Sequence, residues 1–266
     1  MPPTSKSTFP PSPVTNPAFS LVLPAYNEAA RLPGYLAEVR TYLDTRYPGA
    51  YEVIVVDDGS KDGLAEVLAP LAARWPDLRI LRHEINRGKG AAVRTGILAA
   101  RGDRVLFADA DGATPIREES RLAEAIAQGA DVAVGSRLTS GSGVRRHRNW
   151  LRGLAGRAFA WLARHCLRLG VRDTQCGFKM FRREIGQRLF SLSSEPGFLF
   201  DLEILALCQR LGYRVIEVPV NWSEKPGGHF RPGRELPRVL ADLWRIRRRL
   251  NDSCVAGCPR GFQPPC

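Results

Sequence analysis

The chain comprises 266 residues and carries 39 Lys and Arg against 27 Asp and Glu, a formal charge of +12. Its 44% apolar and 25% charged residues exclude a wholly disordered chain and suffice for one core with appendages. A basic excess of this size calls for a polyanion: nucleic acid, an anionic membrane face or a phosphorylated small molecule.

In chain order, the Pro- and Ser-rich residues 1–17 lack the apolar stretch of a signal peptide and read as a disordered leader. Short apolar runs follow at 19–23, 51–57, 78–82, 103–109 and 131–135, and helical periodicity occupies 31–46, 62–74, 88–100 and 117–128. The alternation predicts an α/β fold in which a mainly parallel sheet is covered by helices on both faces, as one unit over 18–230. Residues 149–170 mix Leu, Phe and Trp with four arginines, which suits either an interfacial helix or a core-packing helix with a basic outer face. A second basic amphipathic helix is expected over 231–250, then a flexible Cys-containing tail over 251–266. No run approaches the ~18 uninterrupted apolar residues of a spanning helix.

The charge is unevenly placed. Residues 1–136 hold 15 basic and 17 acidic side chains, 137–189 hold 13 and 2, and 231–249 hold 7 and 2. A nucleic-acid coat would not divide so sharply, and no nucleic-acid motif accompanies it. Cys254, Cys258 and Cys266 lack the paired spacing of a zinc site, so free thiols in a reducing compartment are expected. His83, His147 and His165 show no ligand spacing.

Sheets of this kind bind ligands beyond the carboxyl ends of their strands. Each predicted strand ends in a polar cluster: PAYNE (24–28), DDGS (57–60), NRGKG (86–90), DADG (109–112) and GSR (135–137). One cluster would serve as a turn or helix cap; five at one end of a sheet mark a site. Asp109 and Asp111 alternate by two, so both carboxylates can face one hard cation such as Mg2+ or Mn2+. Asp57 and Asp58 are placed to accept hydrogen bonds from a base or ribose, Asp57 first, while Ser60 and Asp62 suit a helix cap. Lys89, with Arg87 beside it, opens a helix where a phosphate can dock, although the spacing is not that of a Walker loop.

These motifs in this order, with the later DTQCGFK (173–179), resemble the inverting family 2 glycosyltransferases of GT-A fold. Within them the chain is most similar to the polyprenyl-phosphate enzymes, particularly the dolichyl-phosphate β-glucosyltransferase branch, over roughly residues 18–250. The resemblance implies that Pro24, Tyr26, Glu28 and Asp57 hold the nucleotide of a nucleotide sugar, with Asp58 and Lys89 nearby, and that Asp109 and Asp111 bind the metal bridging its diphosphate. Ala113 stands where related mannosyltransferases carry a further polar ligand, and His229 lies near the place of a Gly-Ser-Lys element.

The expected reaction is hexose transfer, with UDP-glucose as donor and a polyprenyl or dolichyl phosphate as acceptor, at the cytosolic face of a membrane; GDP-mannose or a soluble acceptor is the alternative. Charge on the departing diphosphate is stabilised by the metal and by cationic side chains. A lipid phosphate is already anionic and needs cations rather than a base, and Arg137, Arg145, Arg146, Arg148 and Lys179 are the candidates to hold it. A hydroxyl acceptor would need a carboxylate base, for which Asp173, Asp201 and Glu203 are available; Asp173 is expected at the site, orienting or binding acceptor rather than acting as base.

Overall fold

The computed structural model describes residues 16–139, 146–147, 167, 169–223, 225 and 242–249. Its elements alternate in the expected way: β1 (Phe19–Ala25), α1 (Leu32–Arg46), β2 (Tyr51–Asp57), α2 (Leu64–Ala73), β3 (Leu78–Arg82), α3 (Lys89–Ala99), β4 (Arg104–Ala108), α4 (Glu119–Ala127) and β5 (Val132–Ser136). Beyond them come β6 (Arg146–His147), β7 (Phe178–Arg182), α5 (Arg183–Leu192), α6 (Phe200–Arg210), β8 (Val215–Pro219) and β9 (Trp222–Ser223). The five strands read from the sequence agree with those observed to within two residues at each end, as do the four helices.

The main sheet has the order β3-β2-β1-β4-β7-β5-β8, and β6 pairs separately with β9. All neighbours in the main sheet run parallel except β7, which is antiparallel to both β4 and β5. Every residue of β2 and β5 is buried, as expected for strands covered on both faces. Alternate side chains divide into two cores. Leu21, Leu23, Val53, Val55 and Leu106 pack with α1, α2 and α4; Val22, Ile54, Val56, Val105 and Phe107 pack with α3, α5 and α6.

Ser20 and Glu52 are polar residues buried in this apolar interior, and they satisfy each other. Ser20 Oγ donates to Glu52 Oε1 at 2.8 Å, and Glu52 also accepts from Arg79 at 2.6 Å and from Arg101 N at 2.6 Å. These partners hold the buried Glu52 carboxyl below its ordinary range even though burial itself pushes it up.

Of the C-terminal amphipathic helix expected over 231–250, residues 242–249 are helical, while 231–241 and 250 lie outside the described residues, as do 1–15, all of 149–166 and the tail 251–266. Leu243 and Ile246 are buried in the second core, and Trp244 is 63% exposed.

Helix α3 lies close on β1 because residue 96 has no side chain. A Cβ there would stand 2.3 Å from Val22 Cγ1 and 3.2 Å from Val56 Cγ2. Gly to Ala in an open helix stabilises by about 0.5–1 kcal/mol, but overpacking against β-branched strand residues costs about 1–3 kcal/mol. Gly96→Ala is therefore expected to lower the thermal midpoint, and a raised midpoint would show that the helix moves off the sheet at little cost.

Candidate active site

The parallel strands β1, β2, β4 and β5 end on one side of the sheet, and the antiparallel β7 begins there. This brings the segment 173–177 beside the Asp109 loop: Ala108 pairs with Phe178, and Asp109 N donates to Gly177 O at 2.9 Å. Gly177 is needed for the contact, since a Cβ would lie 2.1 Å from Asp109 Oδ2.

Asp109 and Asp111 follow one another in the turn after β4, near enough for the charge of Asp109 to act on Asp111. Lys89 Nζ lies 2.6 Å from Asp109 Oδ1 and 5.5 Å from the Phe107 ring centroid. Asp111 Oδ1 accepts from Ala113 N at 2.9 Å. Burial, then the neighbouring Asp109 charge, pushes the Asp111 carboxyl above its ordinary range, so the pair favours added positive charge. Among the described residues no group of three His, Cys, Asp or Glu side chains could enclose a metal. Ala113 is buried, and its carbonyl accepts from Ser223 N at 2.9 Å. Two carboxylates on an open rim fit Mg2+ or Mn2+, ions that complete their shells with water and substrate phosphate.

The loops after β1 and β2 brace each other. Asn27 N donates to Ser60 Oγ at 2.9 Å, Lys61 N to Asn27 Oδ1 at 2.9 Å, and Ala29 N to Asp62 Oδ2 at 2.8 Å. Asn27 adopts φ 56°, a left-handed conformation that asparagine tolerates better than most residues. Ser60 thus ties two loops rather than capping α2, and Asp62 does both, accepting also from Leu64 N at 3.2 Å. Pro24 is half-buried at the end of β1, Tyr26 is 41% exposed, and Glu28 is held by Arg31 Nε at 2.7 Å.

Asp57 and Asp58 separate. Asp57 is buried; its Oδ1 accepts from Ser60 N at 2.8 Å, while Oδ2 lies 3.3 Å from Arg82 Nε without a hydrogen bond among the described residues. Asp58 is fully engaged inside the protein: it accepts from Arg87 N at 2.9 Å and Gly88 N at 2.8 Å and lies 2.6 Å from His83 Nδ1. The expectation that Asp58 contacts nucleotide is corrected accordingly; it pins the loop that starts α3, and His83 supports it.

Arg137 meets Asp173 in a bidentate pair, both bonds 2.9 Å, and Arg137 N adds a third at 2.7 Å. The Trp222 ring lies 5.6 Å from the guanidinium. Glu217 on β8 accepts from Arg172 N at 2.9 Å and Asp173 N at 2.8 Å, fixing that turn. Although burial pushes it up, the Arg137 hydrogen bonds and charge hold the Asp173 carboxyl below the usual carboxylate range.

Lys179 is not at the acceptor side. It is 1% exposed in the middle of β7, 2.5 Å from Asp201 Oδ1, and donates to Cys176 O at 2.7 Å and Thr174 O at 3.3 Å. Its three ammonium protons are used internally, which corrects the expectation of a phosphate contact. Asp201 is committed to that lysine, and Glu203 accepts from Ser194 N at 2.9 Å and Glu195 N at 2.8 Å. Arg145 and Arg148 lie outside the described residues, and of Arg146 the backbone strand alone is described.

Several participants escaped sequence reasoning: the Lys89–Asp109 pair, Trp222, Glu217, and the buried Glu195, whose Oε1 accepts from Gly197 N at 3.1 Å. Gly177, by contrast, lies within the DTQCGFK motif already read from the sequence.

The acidic pair stands beyond β4 at the switch between β1 and β4, where sheets of this mainly parallel kind bind their ligands. The family model for glycosyl transferase family 2 matches residues 20–190, and the chain belongs to that family. It is 35% identical over 249 residues to the dolichyl-phosphate beta-glucosyltransferase of Dictyostelium discoideum, covering 90% of this chain and 76% of that protein. The human protein of the same name is 35% identical over 257 residues, covering 87% and 79%. Among solved structures, glucosyl-3-phosphoglycerate synthase from Mycobacterium tuberculosis, in complex with Mn2+, UDP-glucose and phosphoglyceric acid, superposes with TM-score 0.63 at 23% identity over 87% of this chain and 80% of that one. Mannosyl-3-phosphoglycerate synthase from Rubrobacter xylanophilus gives 0.62 at 23% identity, over 93% and 77%. At that identity these two establish the fold alone.

Removing one partner of a buried ion pair costs about 3–5 kcal/mol, so Asp173→Asn is expected to lose about 3 kcal/mol at pH 7, read by urea denaturation. Because the folded Asp173 pKa is depressed, its contribution is complete above the unfolded value near ~3.9 and disappears as pH falls through the folded one. The gap between wild type and variant should therefore be flat from neutral pH to about pH 5 and narrow below about pH 4. A gap unchanged at lower pH would rule out the charge as its source.

Proposed function

We propose that this chain transfers glucose from UDP-glucose to dolichyl or another polyprenyl phosphate, with Mg2+ or Mn2+ at Asp109 and Asp111, at the cytosolic face of a membrane. The observation that carries this reading is the commitment of all three candidate bases, Asp173 to Arg137, Asp201 to Lys179 and Glu203 to the 194–195 backbone. A hydroxyl acceptor needs a base to take its proton, whereas a phosphate monoester arrives as the nucleophile. The names of the relatives agree with such an acceptor, and the UDP-glucose and Mn2+ in the mycobacterial enzyme agree with the donor and metal.

In this reading Asp57, Tyr26, Glu28 and Pro24 bind the nucleotide, and Asp57 Oδ2 accepts from the base. Asp109 and Asp111 hold the ion, which neutralises charge on the departing diphosphate when bound. Lys89 adds a cation at the helix start. Arg137, pre-aligned by Asp173 and Trp222, steadies the acceptor phosphate against the donor, with Arg145, Arg146 and Arg148 as further contacts. The catalytic unit spans 18–230. The 231–250 segment rests on the bilayer: Trp244, Arg247 and Arg248 face outward while Leu243 and Ile246 face the core. Among the described residues, no helix is long and apolar enough to cross a membrane.

Labelled UDP-glucose incubated with dolichyl phosphate and Mn2+ should yield label in organic-extractable lipid, and Asp111→Ala should lower that yield by on the order of a hundredfold or more with the fold retained. A water-soluble product instead, or none with UDP-glucose while GDP-mannose is used, would overturn the acceptor or the donor respectively.

Basic residues near an anionic surface are worth about 1 kcal/mol each. Arg247→Glu combined with Arg248→Glu should thus weaken flotation with phosphatidylserine vesicles by on the order of tenfold or more, while binding of UDP is unchanged. Equal flotation would remove this helix from the membrane contact.

A further inference from the structure

The ammonium of Lys89 stands where a metal-binding carboxylate would otherwise face its ion. It lies 2.6 Å from Asp109 Oδ1, and its side chain is 24% exposed. The approach is built into the start of α3. A Cβ at Gly88 would come within 2.4 Å of Pro196 O, one at Gly90 within 2.4 Å of Glu195 O, and Ala91 N donates to Pro196 O at 3.1 Å. With the backbone seated this closely on the 195–197 turn, the lysine stem crosses the Phe107 ring to reach the acidic pair. A lysine is ordinarily a cation at neutral pH, and the 2.6 Å approach to Asp109 Oδ1 is the geometry of an ion pair.

A divalent ion on Asp109 and an ammonium on the same carboxylate compete for its lone pairs and repel each other at short range. The other buried lysine offers a contrast. Lys179 is enclosed, 1% exposed, with three acceptors around it, whereas Lys89 has one carboxylate partner and a flexible stem near the surface.

We propose that Lys89 is the resident counter-cation of the nucleotide-free site: the metal displaces it from Asp109, and the donor diphosphate then becomes its partner. This rests on the reading of Asp109 and Asp111 as metal ligands for a nucleotide-sugar donor. Two consequences follow from linkage. Metal alone binds weakly because it must evict a cation, and metal and nucleoside diphosphate each strengthen binding of the other because the diphosphate receives the evicted lysine.

The test uses Mn2+ alone, titrated into the full chain without nucleotide and followed by the electron paramagnetic resonance signal of the free ion. Lys89→Met is expected to bind Mn2+ on the order of tenfold more tightly than wild type, more than an exposed pair would give because the carboxylate oxygen is buried. Lys89→Arg should stay weak. With saturating UDP the wild type should gain more Mn2+ affinity than Lys89→Met does, since the variant has no cation to hand over. Equal or weaker Mn2+ binding by Lys89→Met, or equal gains with UDP, overturns the proposal; Lys89→Gln repeats the comparison if the Met variant does not fold. Asp111→Asn separates the two claims. If it leaves Mn2+ binding intact, the acidic pair is not the metal site and the proposal falls with it. If it abolishes binding while Lys89→Met leaves affinity unchanged, the lysine's role alone fails.

Discussion

The backbone bond from Asp109 N to Gly177 O joins the two halves of the site, and much of the rest depends on it. It exists because β7 is inserted antiparallel between β4 and β5, so that its first residue stands at their carboxyl ends. A parallel strand in that place would deliver residues 173–177 to the opposite edge. The contact also requires a bare Cα under the Asp109 carboxylate. From this seam the polar groups sort to either side: Tyr26, Asp57 and the braced loops after β1 and β2 on one, and Arg137, Asp173 and Trp222 on the other.

Charge follows the same division. The N-terminal half is slightly acidic because it concentrates carboxylates at strand ends, and the basic excess resides in later segments. Several buried charges are matched by an opposite charge: Glu52 with arginines, Asp173 with Arg137, Asp201 with Lys179. Such pairs add little stability in themselves, but losing one member leaves an uncompensated charge in the interior. They fix side-chain direction, as the bidentate Arg137–Asp173 pair does for its guanidinium.

The five early strands and their helices were legible because runs buried on both faces are nearly pure apolar and bounded by turn residues. β7 was not, since FKMFR carries Lys179 and Arg182 within five residues and looks like an exposed segment. The lysine is buried only because Asp201, 22 positions later, meets it, and no local pattern encodes that meeting. The two aspartates of DDGS looked equivalent in the sequence. Successive residues at a strand end point to opposite faces, so Asp57 turns toward the 57–60 loop while Asp58 turns toward His83 and the start of α3. Asp109 and Asp111 lie past the end of β4 in a turn, so strand alternation does not set their direction, although the charge of Asp109 acts on Asp111.

Ser223 N donates to Ala113 O, and Asn221 bonds to Glu118 through both its backbone and its side chain. The segment leaving β8 is thus stitched to the loop that carries the acidic pair. The stretch from β8 toward the C terminus cannot be exchanged for that of another enzyme as an independent cassette. A graft that ignored Asn221 and Ser223 would unfasten the acidic loop as well.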